Sequence, residues 1–207
     1  MEFQYYGGNC VVITTKKAAI VIDDNLAALG LKSITKPDNI ALFTTLPEVA
    51  SPARLTIADP GEYEISEVSI FGIPARAHTD EAGQQTATVY KIQHDDLRVA
   101  VVGHIHPDLS EDHLEEIGAV DILIVPVGGN GYTLDAAGAM QIVKKIEPKI
   151  VIPVHYEDAK LKYEVPQQPL SEALKVFSVE AAEPVGKFKP KPADIGETLR
   201  VVVLDRQ

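Results

Sequence analysis

The chain has 207 residues, 45% of them hydrophobic and 24% charged, which is ordinary for a globular protein long enough to bury a sizeable core. Its formal charge of −11 would repel a polyanion such as DNA or RNA, and no apolar run approaches the roughly 20 residues that span a bilayer. The start MEFQYYGGN reads as lacking a secretory signal, and Cys10 as the only cysteine excludes an intramolecular disulfide, so the default setting is cytoplasmic.

Short apolar or β-branched runs predict strands over Phe3–Tyr6, Asn9–Thr14 and Ala18–Asp23, with a hairpin tip at Thr15–Ala18. Further strands are expected at Asn39–Thr44, Arg54–Ala58, Val68–Ala77, Ala87–Gln93 and Leu97–Val102. Asp59-Pro60-Gly61 reads as a turn, and His94-Asp95-Asp96 as a hairpin turn. After His106 the pattern changes. Ser110 precedes EDHLEEI and Gly118 follows it, giving a helix with an N-cap, an acidic first turn and a glycine stop. Asp121–Val127 is a buried strand. A glycine loop, Gly128–Gly131, leads to a helix over Thr133–Ile146, where Ala136, Met140, Val143 and Ile146 recur at helical spacing. Lys149–Val154 is the next strand, Leu170–Phe177 a short helix, Pro184–Pro192 a loop and Thr198–Leu204 a closing strand. Strands dominate the first half and alternate with helices in the second. That order predicts one domain, residues 1–207, of sheets packed together with helices outside.

Four of the six histidines sit at or just beyond the end of an apolar strand: His78, His104, His106 and His155. Strand ends are where loops carry polar groups and ligand sites gather. Neutral imidazole is a common ligand for zinc and related metals. His104-x-His106 puts both rings on one face if the chain there stays extended. The bland alternative is a loop histidine hydrogen-bonded to backbone. His94 and His113 read as solvated surface. Gly128-Gly129-Asn130-Gly131 could cradle an anion at a helix N-terminus, but it lacks both the dinucleotide fingerprint and the P-loop lysine and reads as a tight strand-to-helix turn. Cys10 reads as a small buried hydrophobe. No GxSxG elbow supports a serine nucleophile.

The stretches VAVVGHIHP, LSEDHLEEIGAVDILIVPVGG and YTLDAAGAMQIVKKIEPKIVIPVHY resemble the metallo-β-lactamase superfamily. They are most similar to its branch of small zinc-dependent hydrolases that includes ascorbate-6-phosphate lactonase-like proteins. The opening YYGGNCVVI…AAIVIDD is similar to the family's first strands, which end in an aspartate, and Asp23 takes that place. The resemblance covers nearly the whole chain. It implies an α/β (α+β) fold, a four-layer αββα sandwich with a metal site at one edge between the sheets.

The resemblance also implies chemistry at a dinuclear, usually zinc, centre built on an HxHxDH motif, a further histidine, a bridging aspartate and a last histidine. Here the motif's place after NIALF is taken by Thr45, Pro47, Val49 and Ala50, none of which carries a usual ligand. The next family histidine matches His78, the bridging aspartate falls on His104, and the last histidine matches His155. At most His78, His104 and His155 remain as metal ligands, with His106, Asp80 or Glu48 as helpers. Two functions are expected from this. One is a member with a degenerate metal site, weakly active or non-catalytic, serving as a binding or scaffold module without a cofactor. The other is a hydrolase of small esters, lactones or phosphoesters with a single zinc-like ion on the three histidines. The expected partner is a small molecule or another copy of the chain. Nucleic acid and membrane are not expected, because the charge is acidic and no apolar span exists.

Overall fold

The computed structural model describes residues 1–179, 183–191, 194–196 and 198–207. Two mixed sheets face each other. The first runs β1-β2-β3-β4-β5, where β1 is Glu2–Gly7, β2 Cys10–Thr14, β3 Ala19–Ile22, β4 Ile40–Leu42 and β5 Leu55–Ile57. The β2–β3 hairpin closes where Thr15 N–H donates to Ala18 O at 2.8 Å. The antiparallel β1–β2–β3 meander is extended by parallel pairing of β3 with β4 and β4 with β5.

The second sheet comprises β6 (Gly61–Ile65), β7 (Val68–Ala75), β8 (Ala87–His94), β9 (Leu97–Val101), β10 (Ile122–Pro126), β11 (Ile150–Val154) and β12 (Arg200–Val201). β6 to β9 pair antiparallel, and β9 to β12 pair in parallel. The helices α1 (Glu111–Ile117), α2 (Ala136–Ile146) and α3 (Leu170–Val176) complete the fold.

Alternation along the strands divides the core. In the first sheet Phe3, Tyr5, Ile13, Ile20, Ile22 and Leu42 point inward and meet Ile70, Tyr90, Ile92, Ile124 and Ile152 of the second. The other face of the second sheet, including Val89, Ala100, Leu123 and Val151, packs on Ile117, Ala139, Ile142, Val143 and Leu174 of the helices. Each such aliphatic side chain contributes about 1.5–3 kcal/mol by leaving water. β10 and β11 face packed layers on both sides and are buried at every residue, which is why they read as continuous apolar runs.

The expected sandwich is therefore present. Outside the first sheet its cover is the segment after β3, in which Leu26 packs with Cys10 and Val21. No helix forms in residues 23–39. Cys10 is the buried hydrophobe its setting predicts.

Several local expectations are revised. β6 begins on Gly61, inside the stretch read as a turn. Its Glu62 and Glu64 face water while Tyr63 and Ile65 pack, so it carries no apolar run. α2 starts at Ala136, because the Asp135 side chain accepts from Gly138 N–H at 2.7 Å and caps it. The closing strand shrinks to two residues, although Leu204 and Arg206 add isolated bridges to Val185 and Tyr5. The loop over residues 184–191 is pinned at Phe188, which exchanges backbone hydrogen bonds with Phe3; Pro192 lies outside the described residues.

His94 and His113 are not free surface groups. His94 Nδ1 lies 2.9 Å from Glu67 O. The His113 ring closes a capping box with Ser110 and reaches Pro74 O at 3.1 Å through Nε2.

Candidate functional site

The C-terminal ends of β3 and β4 in one sheet and β9, β10 and β11 in the other open onto the same edge of the sandwich. β3 ends at Ile22, and Asp23 turns into the left-handed region at φ 46°. The Asp23 carboxylate accepts from Thr44 N–H and from Thr44 Oγ1, each at 2.7 Å. Burial pushes its pKa up to about 6, and the two Thr44 bonds hold back part of that rise. Across the gap Gly103 has φ 55°, and a Cβ there would sit 2.1 Å from Thr44 Oγ1. Glycine is thus required immediately before His104. The same bend breaks the extended run of β9. Beyond it the His104 ring lies against Tyr132 and His155, while the His106 ring lies against His78.

His155 follows β11 with φ 51° and is 3% exposed. Its N–H donates to Gly8 O at 2.8 Å. Its Nδ1 lies 3.1 Å from Gln167 Oε1, while Gln167 Nε2 donates to Val165 O at 2.9 Å. With the amide oriented in that way, Nδ1 carries the ring proton and Nε2 keeps its lone pair. The loop after β10 fits closely around this pair: a Cβ on Gly128 would meet Gln167 Oε1 at 2.1 Å and His155 O at 2.2 Å.

The His104 ring stands edge-on to His155, with centroids 4.7 Å apart. Tyr132 lies 4.9 Å from His104, and Tyr163 lies 5.0 Å from His155. Burial lowers the His155 pKa to about 4, against the hydrogen bond to Gln167. His104 falls to about 3, through burial first and then the neighbouring His155 and His78. Both rings are neutral at pH 7. His104 Nδ1 is buried without a hydrogen-bond partner.

These groups border a cavity of about 270 Å³, whose lining includes Asp23, Thr45, Glu48, His104 and His155. The structure thus brings His104 and His155 together and sets Glu48 at the same cavity. His78 is placed differently. Its N–H donates to His104 O at 2.7 Å, but its ring packs 6.2 Å from that of His106, and neither side chain lines the cavity. His106 Nδ1 accepts from Asp108 N–H at 3.3 Å. The Asp80 carboxylate is occupied by Ala77 N–H, Thr86 N–H and Thr86 Oγ1. Asn9, Tyr132, Tyr163 and Gln167 also border the cavity. They stand in loops or turns without periodic spacing, and only the glycine loop before Tyr132 hinted at a site wall.

Residues 2–155 match the family model described as the β-lactamase superfamily domain. The chain belongs to the β-lactamase superfamily. A UPF0173 protein of Pyrococcus abyssi is 28% identical over 181 residues, which cover 75% of this chain and 83% of the relative. A UPF0173 metal-dependent hydrolase of Carboxydothermus hydrogenoformans is 34% identical over 89 residues, or 43% of this chain. The match spans only 30% of that relative's length. Among solved structures, a candidate zinc-dependent hydrolase of the metallo-β-lactamase superfamily from Thermotoga maritima superposes with a TM-score of 0.77. It is 22% identical, with 99% of this chain and 100% of that one covered. That likeness fixes the fold of this superfamily member.

The relatives' names raise the question of a metal. The residues present do not fit a two-metal centre. His104 and His155 are adjacent imidazoles, and in the loop from Thr45 to Ala50 only Glu48 carries a usual side-chain ligand at their cavity. Among the described residues no group of three or more His, Cys, Asp or Glu side chains could hold a metal ion.

Proposed function

We propose that this β-lactamase-superfamily chain has a degenerate metal site and serves as a binding module for a small organic molecule in place of two-metal hydrolysis. One observation carries the reading. His104 and His155 meet in a cavity whose opposite wall, from Thr45 to Val49, offers hydroxyl, apolar and single carboxylate groups where a ligand-rich motif would stand. His155 is held by Gln167 with Nε2 bare, ready to accept a hydrogen bond from a ligand. The acidic surface argues against a nucleic-acid partner. No described helix is long and apolar enough to cross a membrane.

The test is hydrolysis of a panel of small esters, lactones and phosphoesters by the full chain, with and without added zinc or manganese. The reading predicts no turnover above buffer in either condition. Metal-stimulated turnover that is lost in His155→Ala would overturn it.

The His104–His155 contact favours one second reading, a hydrolase with a single metal ion on His78, His104 and His155. His78 is near enough to depress His104 electrostatically. Its ring would have to leave His106 to join them. In that arrangement the metal would supply an activated water.

A further inference from the structure

The charge and hydrogen-bonding character of the cavity narrows what it takes. This inference rests on the binding reading above. Four carboxylates border the cavity, Asp23, Asp24, Glu48 and Glu164, against the single ammonium of Lys162. Asp23 is closed off by Thr44. Asp24 gives one oxygen to Ser33 Oγ, Ile34 N–H, Thr35 N–H and Thr35 Oγ1, at 2.6–2.8 Å. Its other oxygen, Oδ1, is buried with no partner. Asn9 is 7% exposed, and both its amide atoms are unpartnered. A buried acceptor left in that state is costly. Glu164 and Glu48 both act through space on the Tyr132 hydroxyl, so two exposed carboxylates sit around one phenol at the cavity wall.

The apolar groups have a pattern too. Among the large exposed apolar side chains, Leu46, Val49 and Tyr132 all border this cavity, while aromatic faces at Tyr132 and Tyr163 offer attraction to a cation. An anion would meet the carboxylates. A wholly apolar ligand would leave the Glu48 and Glu164 carboxylates at the cavity without a counter-charge. A primary ammonium has three donors and no acceptor, so it suits a wall that carries the unpartnered Asn9 carbonyl and the exposed carboxylates of Glu48 and Glu164, while its organic part rests on Tyr132, Leu46 and Val49. We infer that the cavity binds a small organic cation, a primary ammonium carried on a short apolar or aromatic body. The volume of about 270 Å³ limits it to a small ligand.

Calorimetric titration of the full chain with three probes of one shape tests this: 2-phenylethylammonium, 2-phenylethanol and phenylacetate. The ammonium is expected to bind at least tenfold tighter than the alcohol, with no detectable heat from the acetate. The double variant Glu48→Gln, Glu164→Gln removes two exposed charges that hold no hydrogen bond among the described residues. It is expected to weaken the ammonium several-fold and leave the alcohol unchanged. Acetate binding as tight as the ammonium, or an ammonium affinity indifferent to the double variant, overturns the cation inference and leaves a binding module of other specificity. Silence from all three probes also overturns it. The binding reading itself is judged separately, by the hydrolysis panel.

Discussion

Gln167 is the residue on which the His155 geometry turns. Its carbonyl accepts the Nδ1 proton while its amide nitrogen is anchored on Val165 O. Gln167→Leu leaves a buried ring N–H unpaired, which costs about 1–3 kcal/mol. Urea denaturation should show that loss, and NMR of the ring nitrogens should show the tautomer no longer fixed. An unchanged tautomer would mean that Gln167 does not set it. The pH dependence follows from the same rings. His104 and His155 sit at about 3 and about 4, below the ordinary 6.5. The unfolded chain therefore binds more protons than the folded one as pH falls from 6.5. That stability is complete above 6.5 and drains toward pH 4 and 3. Asp23 works the other way, since its pKa is raised from 3.8 to about 6 and stability is gained as pH falls between those values. The two imidazoles move further in sum than the one carboxylate. The net expectation is a loss of a few kcal/mol between pH 7 and pH 4, measured by denaturation at each pH. His104→Gln should flatten that slope, and an equal slope in the variant would contradict the assignment.

At the scale of elements, the bend between β9 and His104 ties the two sheets together. Gly103 at φ 55° leaves no room for a Cβ beside Thr44, which holds Asp23. Gly103→Ala combines left-handed strain with a clash against a buried side chain. It is expected to destabilise by at least about 2 kcal/mol, read from the denaturation midpoint; a neutral result would mean that Thr44 can yield. These elements also show what the sequence disclosed. The apolar runs of β10 and β11 and the caps of α1 were legible because burial on both faces and helix capping leave local marks. β6 was not legible, because an edge strand with Glu62 and Glu64 outward looks like a polar loop. The strand-end positions of His104 and His155 were legible, but their meeting was not. It depends on the order of parallel pairing from β9 to β11, which is non-local. The parting of His104 from His106 and the contributions of Tyr132, Tyr163 and Gln167 depend on loop paths that leave no periodic signal.

At the scale of the molecule, two sheets bring five strand ends to one edge, as parallel strands do wherever a fold builds a site. The superfamily places metal chemistry at that edge. In this chain the same edge carries two neutral imidazoles, a hydrogen-bonded Asp23–Thr44 pair, aromatic walls and unpaired acceptors, within a chain of net charge −11. The proposed binding role rests on the exchange that the resemblance implies, of ligand-bearing residues for Thr45, Pro47, Val49 and Ala50. Elemental analysis of the purified full chain, after exposure to zinc and gel filtration, tests it most directly, with His155→Ala run beside it. The account predicts far less than one metal ion per chain in both proteins. One or more ions per chain in the wild type, lost in His155→Ala, would contradict it.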